Sequence, residues 1–254
     1  MKNLIRIIVA VISFLGLAHS LQFPRNADQT RWALKSCLRE ARPPRSLGAK
    51  WRELTLPKNE RTFCFVQCLW TYLGIFDEKT RRFNTSAIET QFISRGSLSP
   101  KSLHTLKGQV KGKTCKEVYK FSIDFLKKYK SEFRHVFYLT DQTSLTWYSQ
   151  NRGKVKGRGE KASSFCQKES NECERLHCRF YYYRLVDEDY KIIFFQKIMI
   201  YGISNRQFNQ CREEADKKTG CNVAKTFKEC LEKIDNEKVQ NAMEAWDYVS
   251  QRYA

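Results

Sequence analysis

Thiol and imidazole groups come closest together between Glu172 and Cys178, where Cys173, His177 and Cys178 share one short segment. Thiolate and imidazole are the ligands that zinc prefers in structural sites. The sequence has no second cluster of matching spacing, and the cysteines of an exported chain are normally oxidised to disulfides. We therefore expect disulfides here, and we expect neither a metal nor another cofactor.

Histidine is the other residue type that could do chemistry, as a general base beside a nucleophile. His104, His135 and His177 lie in no motif of a serine hydrolase, a cysteine protease or a zinc metalloprotease. The sequence therefore favours a binding protein over an enzyme.

Positive charge is the strongest feature of the composition, with 46 Lys and Arg against 27 Asp and Glu, a net charge of +19. Such a field attracts anionic partners such as small carboxylates, polyphosphate, glycosaminoglycans or nucleic acid. A basic run could bind a polyanion, although a solvated linker explains it equally well. Aromatic residues do not alternate with it, as single-strand nucleic-acid binding would require. The run comprises Arg152, Lys154, Lys156, Arg158 and Lys161.

The first twenty residues have the pattern of a secretory signal peptide. Lys2 and Arg6 precede an apolar run over residues 7–17, and Ala18-His19-Ser20 has the small-x-small form that signal peptidase accepts. The apolar run is too short to cross ~30 Å of hydrocarbon, and no later stretch is long and uncharged enough. We expect a secreted chain with no membrane partner.

The ten cysteines fall into two groups separated by a basic segment. Residues 151–160 contain three glycines and little to bury, which is typical of an exposed linker or loop. We expect an N-terminal domain over 21–150, a basic linker over 151–162 and a C-terminal domain over 163–254. The groups are Cys37, Cys64, Cys68 and Cys115, then Cys166, Cys173, Cys178, Cys211, Cys221 and Cys230.

Helix signals dominate the first half, so we expect an all-α fold. Cys64 and Cys68 are four residues apart and share one face of a helix that ends near Gly74. Capping-box patterns over residues 86–89 and 114–117 each predict the start of a further helix.

Other segments carry mixed signals. Ser99-Pro100 predicts a helix start, with a helix running through Val110. Residues 180–186 and 192–195 are aromatic or β-branched runs that suit a strand and a buried helix equally. A stripe at helical spacing predicts the last helix, and its members are Val239, Ala242, Met243, Trp246 and Val249.

The cysteine pattern of the first half resembles the insect odorant-binding superfamily with one of three bridges absent. Four cysteines allow three pairings, so spacing alone leaves the bridges open. Further blocks make the resemblance specific to the salivary D7 proteins of blood-feeding flies, and the basicity and modest length look more like the sand fly branch. These blocks are residues 49–51 with Trp51, 64–68, 73–77 and 83–92.

The resemblance implies two odorant-binding-like helical domains and, in the first, bridges Cys37–Cys68 and Cys64–Cys115. It also implies an apolar channel in the first domain for eicosanoids, notably cysteinyl leukotrienes and in some members thromboxane. The residues carried over to that channel are Trp51 and Phe65. A tyrosine at the Phe65 position is associated in the family with thromboxane binding, so Phe65 puts that ligand in doubt.

An eicosanoid needs a dry aromatic tunnel for its tail and a cationic or amide-lined mouth for its carboxylate. Nearby aromatic residues could line the tunnel, and three polar ones could lie near the carboxylate. For each of them ordinary core packing is the competing interpretation. The tunnel candidates are Phe121, Phe125, Phe133 and Phe137, and the mouth candidates are Arg134, His135 and Tyr138.

The second half resembles the family more weakly. Its C-x8-C spacing favours a Cys211–Cys230 bridge and leaves the partners of the other four cysteines open. In members that bind serotonin or histamine, this domain presents two acidic residues to the amine. Only one acid stands at the corresponding positions here, so we expect poor amine binding. Those positions hold Tyr181, Tyr183, Phe194, Asn241 and Glu244.

The sequence thus predicts a monomeric salivary scavenger of host eicosanoids that counters inflammation and platelet activation. The alternative is a basic anticoagulant that binds polyphosphate, heparin or the surface of a clotting factor. Asn84-Thr-Ser is an N-glycosylation sequon and would mark an exposed turn.

Overall fold

A computed structural model describes residues 21–137, 140–157 and 159–251, and these are predominantly helical, which confirms the all-α prediction. The predicted signal peptide lies outside the described residues. The first half holds α1 (Ala27–Ala41), α2 (Arg45–Arg52), α3 (Glu60–Tyr72), β1 (Phe76–Asp77), β2 (Arg82–Phe83), α4 (Thr85–Ser94), a 3₁₀ turn (Leu103–Leu106), α5 (Cys115–Lys128), α6 (Lys130–Val136) and α7 (Asp141–Gln150). The second half holds α8 (Ala162–Phe165), a 3₁₀ turn (Cys166–Lys168), α9 (Glu172–Tyr182), α10 (Asn205–Ala215) and α11 (Asn222–Ser250).

Local capping signals fix several of these boundaries. At Thr114 the predicted capping box forms, with the Thr114 N–H donating to Glu117 Oε2 at 3.1 Å. The helix that carries Cys64 and Cys68 ends at Tyr72, just before the left-handed Gly74 at φ +77°. A Cβ at Gly74 would also lie 2.8 Å from Leu21 Cδ1, so only glycine fits there.

Two predicted helix starts were wrong because tertiary contacts override the local pattern. Helix α4 begins two residues earlier than predicted, because the Asn84 N–H donates to the Ile75 carbonyl at 2.7 Å and holds Asn84 as the N-cap, where its Oδ1 accepts from the Ala87 N–H at 3.0 Å. The Ser99-Pro100 signal leads only to a 3₁₀ turn, because Gln109 bridges to Arg82 and draws the chain away from a helical path.

The ambiguous segments of the second half resolve into a helix and an irregular stretch. Residues up to Tyr182 belong to α9, whereas Ile192 forms an isolated bridge to Val186 outside any regular strand. The predicted stripe near the carboxyl end lies on α11, which kinks at Asp235 and buries Val239 and Met243.

Two separate hydrophobic clusters of buried residues form the core, one in each half of the chain. The structure pairs Cys37 with Cys68, Cys64 with Cys115 and Cys211 with Cys230, the pairs that the resemblance and the spacing had favoured. The four cysteines left open pair as Cys166–Cys178 and Cys173–Cys221. Each cluster is therefore tied by bridges within its own half.

The basic run between the clusters is not uniformly exposed, contrary to expectation. Lys156 is only 1% exposed, and its ammonium donates to the carbonyls of Gly157 and Glu160. Its backbone N–H donates to the Tyr182 hydroxyl at 3.0 Å. Since one cation of the run is buried against the second half, the run does not present a continuous positive strip.

Within the described part of the chain, the helices are too short or too polar to pass through a bilayer.

Candidate functional site

The centre of the N-terminal cluster is a network of aromatic rings around Trp70 on α3. The Trp70 ring lies 5.1 Å from Phe133 on α6 and 6.3 Å from Phe125 on α5, measured between centroids. Phe137 extends the network beyond Phe133, at 4.5 Å. The Trp70 indole N–H donates to the Ser122 hydroxyl at 3.0 Å, so its one polar group is satisfied. Three of the four predicted tunnel residues thus belong to one connected network, and two of them, Phe125 and Phe133, contact Trp70 itself.

Phe121, the fourth tunnel candidate, lies at the margin of this network. It is half-buried and stacks on Phe83 at 5.8 Å, and Phe83 in turn contacts Trp70. A residue in this position borders the surface rather than the centre of the core.

Trp51 and Phe65 form a second aromatic element in the same cluster. Both are fully buried, and their rings stack at 4.2 Å with an interplanar angle of 11°. The Trp51 indole N–H donates to the Thr62 hydroxyl at 3.0 Å, which ties α2 to α3. The two residues that the resemblance assigns to a channel are therefore direct neighbours.

A polar edge adjoins these rings where α6 meets the loop after α2. The Arg134 guanidinium pairs with the Glu53 carboxylate at 2.6 Å, and the Lys130 ammonium donates to the Thr55 hydroxyl at 3.1 Å. Arg134 Nε is buried and has no hydrogen-bond partner among the described residues. A buried N–H without an acceptor is costly, so Arg134 has a donor available for a further oxygen atom.

Of the other two mouth candidates, His135 and Tyr138, only His135 lies within the described residues. His135 is exposed on α6, on a different part of the helix surface from its buried neighbours Phe133 and Val136. Tyr138 lies outside the described residues.

The rings of the network contact one another closely, and protein interiors are packed about as densely as organic crystals. An acyl tail would have to move rings apart and replace ring–ring contacts with its own. Burial of the tail still recovers much of that loss, because apolar contacts are exchanged for apolar contacts.

A buried ion pair that the sequence did not predict joins the two halves. Asp28 on α1 pairs with Arg184 after α9, and both side chains are 3% exposed. The Tyr148 hydroxyl also donates to Asp28, at 2.9 Å. Burial alone would lower the pKa of Arg184, but Asp28 and Tyr181 outweigh it and raise that pKa. The partners are 156 residues apart, and no local pattern could have revealed them.

The positions that correspond to an amine site do not converge on a free carboxylate. Asn241 and Glu244 are exposed on α11. The buried acid nearby is Asp247, which accepts from the Ser163 N–H and hydroxyl and from the Tyr183 hydroxyl. With its acceptor sites occupied, Asp247 has little capacity left for an ammonium group.

Asn84 of the sequon is half-buried, and its Oδ1 caps α4. A glycan would be attached through Nδ2, which leaves that cap intact.

Curated relatives match nearly the whole chain. The chain is 38% identical over 231 residues to a long form salivary D7 protein of Phlebotomus duboscqi, covering 89% of this chain and 91% of that protein. It is 34% identical to a long form salivary D7 protein of Phlebotomus papatasi, with 95% of each covered. No protein-family model matches the chain.

Solved structures show the same architecture. The D7 protein from Phlebotomus duboscqi superposes with a TM-score of 0.76 at 36% identity, covering 89% of this chain and 99% of that one. More distant structures share the fold, including an AeD7–leukotriene E4 complex (TM-score 0.70, 16% identity, 92% of each chain) and an AnSt-D7L1–U46619 complex (TM-score 0.66, 18% identity, 91% and 90%).

Proposed function

Because this chain belongs to the long-form salivary D7 proteins, we propose that it binds a host eicosanoid in its N-terminal half and so lowers the free mediator at the bite. The single observation that carries the proposal is the buried aromatic network around Trp70 with the Arg134 guanidinium at its edge. That combination offers apolar contacts to a tail and a cation to a carboxylate.

The relatives of known structure support the ligand class. Chains of this fold have been solved with leukotriene E4 and with the thromboxane analogue U46619. The identity to those two chains is below one fifth, so they support the fold and suggest the chemistry. The choice between ligands rests on this chain's own residues.

Phe65 favours a leukotriene over a thromboxane. Its ring is fully buried against Trp51 and carries no hydroxyl that could bond to a ligand oxygen. Leukotriene binding needs mainly apolar contact along the tail, which Phe65 supplies as well as tyrosine does.

Scavenging requires tight stoichiometric binding and no turnover. A nanomolar dissociation constant corresponds to about −12 kcal/mol. Burial of a lipid tail at about 0.8 kcal/mol per methylene group provides a large share of that before the entropy of association is subtracted.

The experiment is an isothermal titration of leukotriene E4, U46619 and serotonin into the secreted full chain. We expect leukotriene E4 to bind tightly, U46619 more weakly and serotonin very weakly. Raising the salt concentration should change leukotriene affinity little, because apolar contacts are not screened and a pair with the partly buried Arg134 is screened only weakly.

A matched pair of variants locates the site. Phe133→Leu and Phe227→Leu each change a fully buried phenylalanine, the first in the N-terminal cluster and the second in the C-terminal one. Both should lose a similar amount of stability, but only Phe133→Leu should weaken leukotriene E4 binding, by about tenfold. Equal weakening by both variants, or by neither, would place the lipid elsewhere and reject the proposed site.

A further inference from the structure

A cleft of about 490 Å³ opens between the end of α1 and the start of α2. Four arginines line it, namely Arg39, Arg42, Arg45 and Arg52, and no carboxylate is among its lining residues. The cleft shares no lining residue with the aromatic rings around Trp70, and Leu38 is the lining residue that also packs against the N-terminal cluster.

Three of these arginines are not neutralised by any carboxylate within the part of the chain that the structure describes. The side chains of Arg42, Arg45 and Arg52 form no salt bridge within residues 21–137, 140–157 and 159–251. The acids closest in sequence are engaged elsewhere: Glu40 accepts from the Tyr72 hydroxyl and Glu53 pairs with Arg134. Like charges held around one concave surface repel one another and concentrate anions there.

The backbone adds to this field and shapes the cleft. The first turn of α2 has neither an acidic residue nor a side-chain cap, so the positive end of its dipole is not offset. Gly48 lies in the middle of α2, where glycine costs about 1 kcal/mol relative to alanine. A Cβ there would lie 3.3 Å from Pro43 Cγ and 3.8 Å from Arg52 Nη1, so the glycine lets the proline and the guanidinium approach closely.

We infer that this cleft binds a compact oligophosphate, an anion with two or more adjacent phosphate groups. Guanidinium groups pair with phosphate oxygens through two parallel N–H donors, and several of them suit a ligand that carries several charges. The volume is that of a small-ligand pocket, roughly 300–1,000 Å³. Free tripolyphosphate and the terminus of a longer polyphosphate chain offer the same chemistry.

This inference is independent of the eicosanoid proposal, because it uses a different surface. It also moves polyanion binding away from residues 151–162, where Lys156 is buried, to a cleft on the N-terminal half.

The test is an isothermal titration of sodium tripolyphosphate, with orthophosphate as the single-group comparison, into the full disulfide-bonded chain. Arg45→Gln/Arg52→Gln removes two of the lining cations. Arg206→Gln/Lys217→Gln removes two exposed cations from the second half and changes the net charge equally. We expect the first double variant to bind tripolyphosphate at least tenfold more weakly, and the control to stay within about twofold. Unchanged thermal unfolding of both variants shows that the fold is intact.

Titrations of three other anions show which anion the cleft prefers and can contradict the inference. Long-chain polyphosphate should depend on the same two arginines, and orthophosphate should bind much more weakly than tripolyphosphate. Equal losses in the two double variants would mean diffuse attraction by net charge and would reject the cleft. Tighter arginine-dependent binding of a heparin fragment than of tripolyphosphate would assign the cleft to sulfated sugars and reject the oligophosphate.

Discussion

Substituting Glu53 tests whether Arg134 receives the carboxylate of the lipid. In the free protein Glu53 occupies this guanidinium at 2.6 Å, so a ligand carboxylate has to compete with it. Glu53→Gln keeps the size of the side chain and removes the competing charge. We therefore expect it to increase the affinity for leukotriene E4.

The size of the increase follows from the exposure of the pair. The Arg134 side chain is 23% exposed and that of Glu53 is 60% exposed, so water screens their attraction. Pairs of this kind contribute about 0–1 kcal/mol, which limits the gain to about fivefold. Arg134→Met should instead lose a hydrogen bond to a charged group, about 1.5–3 kcal/mol, and weaken binding by about tenfold or more.

The assay is a titration of leukotriene E4 into the wild type, both single variants and the double variant. It is repeated with the diester of leukotriene E4, in which neither carboxylate is left to pair with Arg134. In the double variant Glu53→Gln should have no effect, because the cation that it frees is absent. The ester should bind all four proteins with similar affinity. If Glu53→Gln also improved binding when Arg134 was replaced, or improved binding of the ester, Arg134 would not be the carboxylate anchor.

Three further predictions concern specificity, stability and pH. Phe65→Tyr should increase the affinity for U46619 several-fold and leave that for leukotriene E4 unchanged in the same titrations; loss of both affinities would mean that the buried hydroxyl finds no partner. Asp28→Asn should lower the free energy of unfolding by about 3 kcal/mol in urea titrations, because it leaves the Arg184 guanidinium buried without its counter-charge, and a loss below 1 kcal/mol would contradict this. Burial raises the pKa of Asp187 to about 6, so the contribution of Asp187 to stability falls as the pH rises from about 4 to 6. Burial lowers the pKa of His177 to about 4, so the contribution of His177 to stability increases as the pH rises from about 4 to 6.5. The two effects oppose each other in the wild type. Asp187→Asn keeps an oxygen acceptor for the Lys191 N–H and removes the Asp187 effect, so the free energy of unfolding of this variant should rise by about 2 kcal/mol between pH 4 and 6. If the substitution left the pH profile of stability unchanged, Asp187 would not be the titrating group.

Sequence patterns predicted the elements whose causes are local. The box at Thr114 depends only on residues three apart, and the helix of Cys64 and Cys68 depends on spacing along one face. Ser86 has the same kind of pattern, yet its prediction was two residues late. The β1–β2 pairing places Phe83 opposite Phe76, and the Asn84 N–H donates to the Ile75 carbonyl at 2.7 Å, so the helix register is set from outside the helix.

The candidate sites depend even more on contacts between residues that are distant in the sequence, which local patterns do not predict. Aromatic residues around α5 and α6 could be assigned to one core from their spacing, but the Glu53–Arg134 pair joins a loop to a helix 81 positions later in the sequence (134 − 53). The arginine cleft depends on a turn between two helices and on where Glu40 and Glu53 find their partners. Charge counts alone pointed to the basic run, because they do not reveal that Lys156 is buried.

The excess positive charge acts on the two proposed sites to different degrees. At physiological ionic strength the screening length is about 8 Å, so the field of the whole chain mainly raises the rate at which any anion encounters it. A lipid that has reached the aromatic network is then held by apolar contacts and by one partly buried pair with Arg134, which salt screens only weakly, so its dissociation rate should change little. An oligophosphate in the cleft of Arg42, Arg45 and Arg52 is held by the same interactions that attracted it, so salt should both slow its association and speed its release.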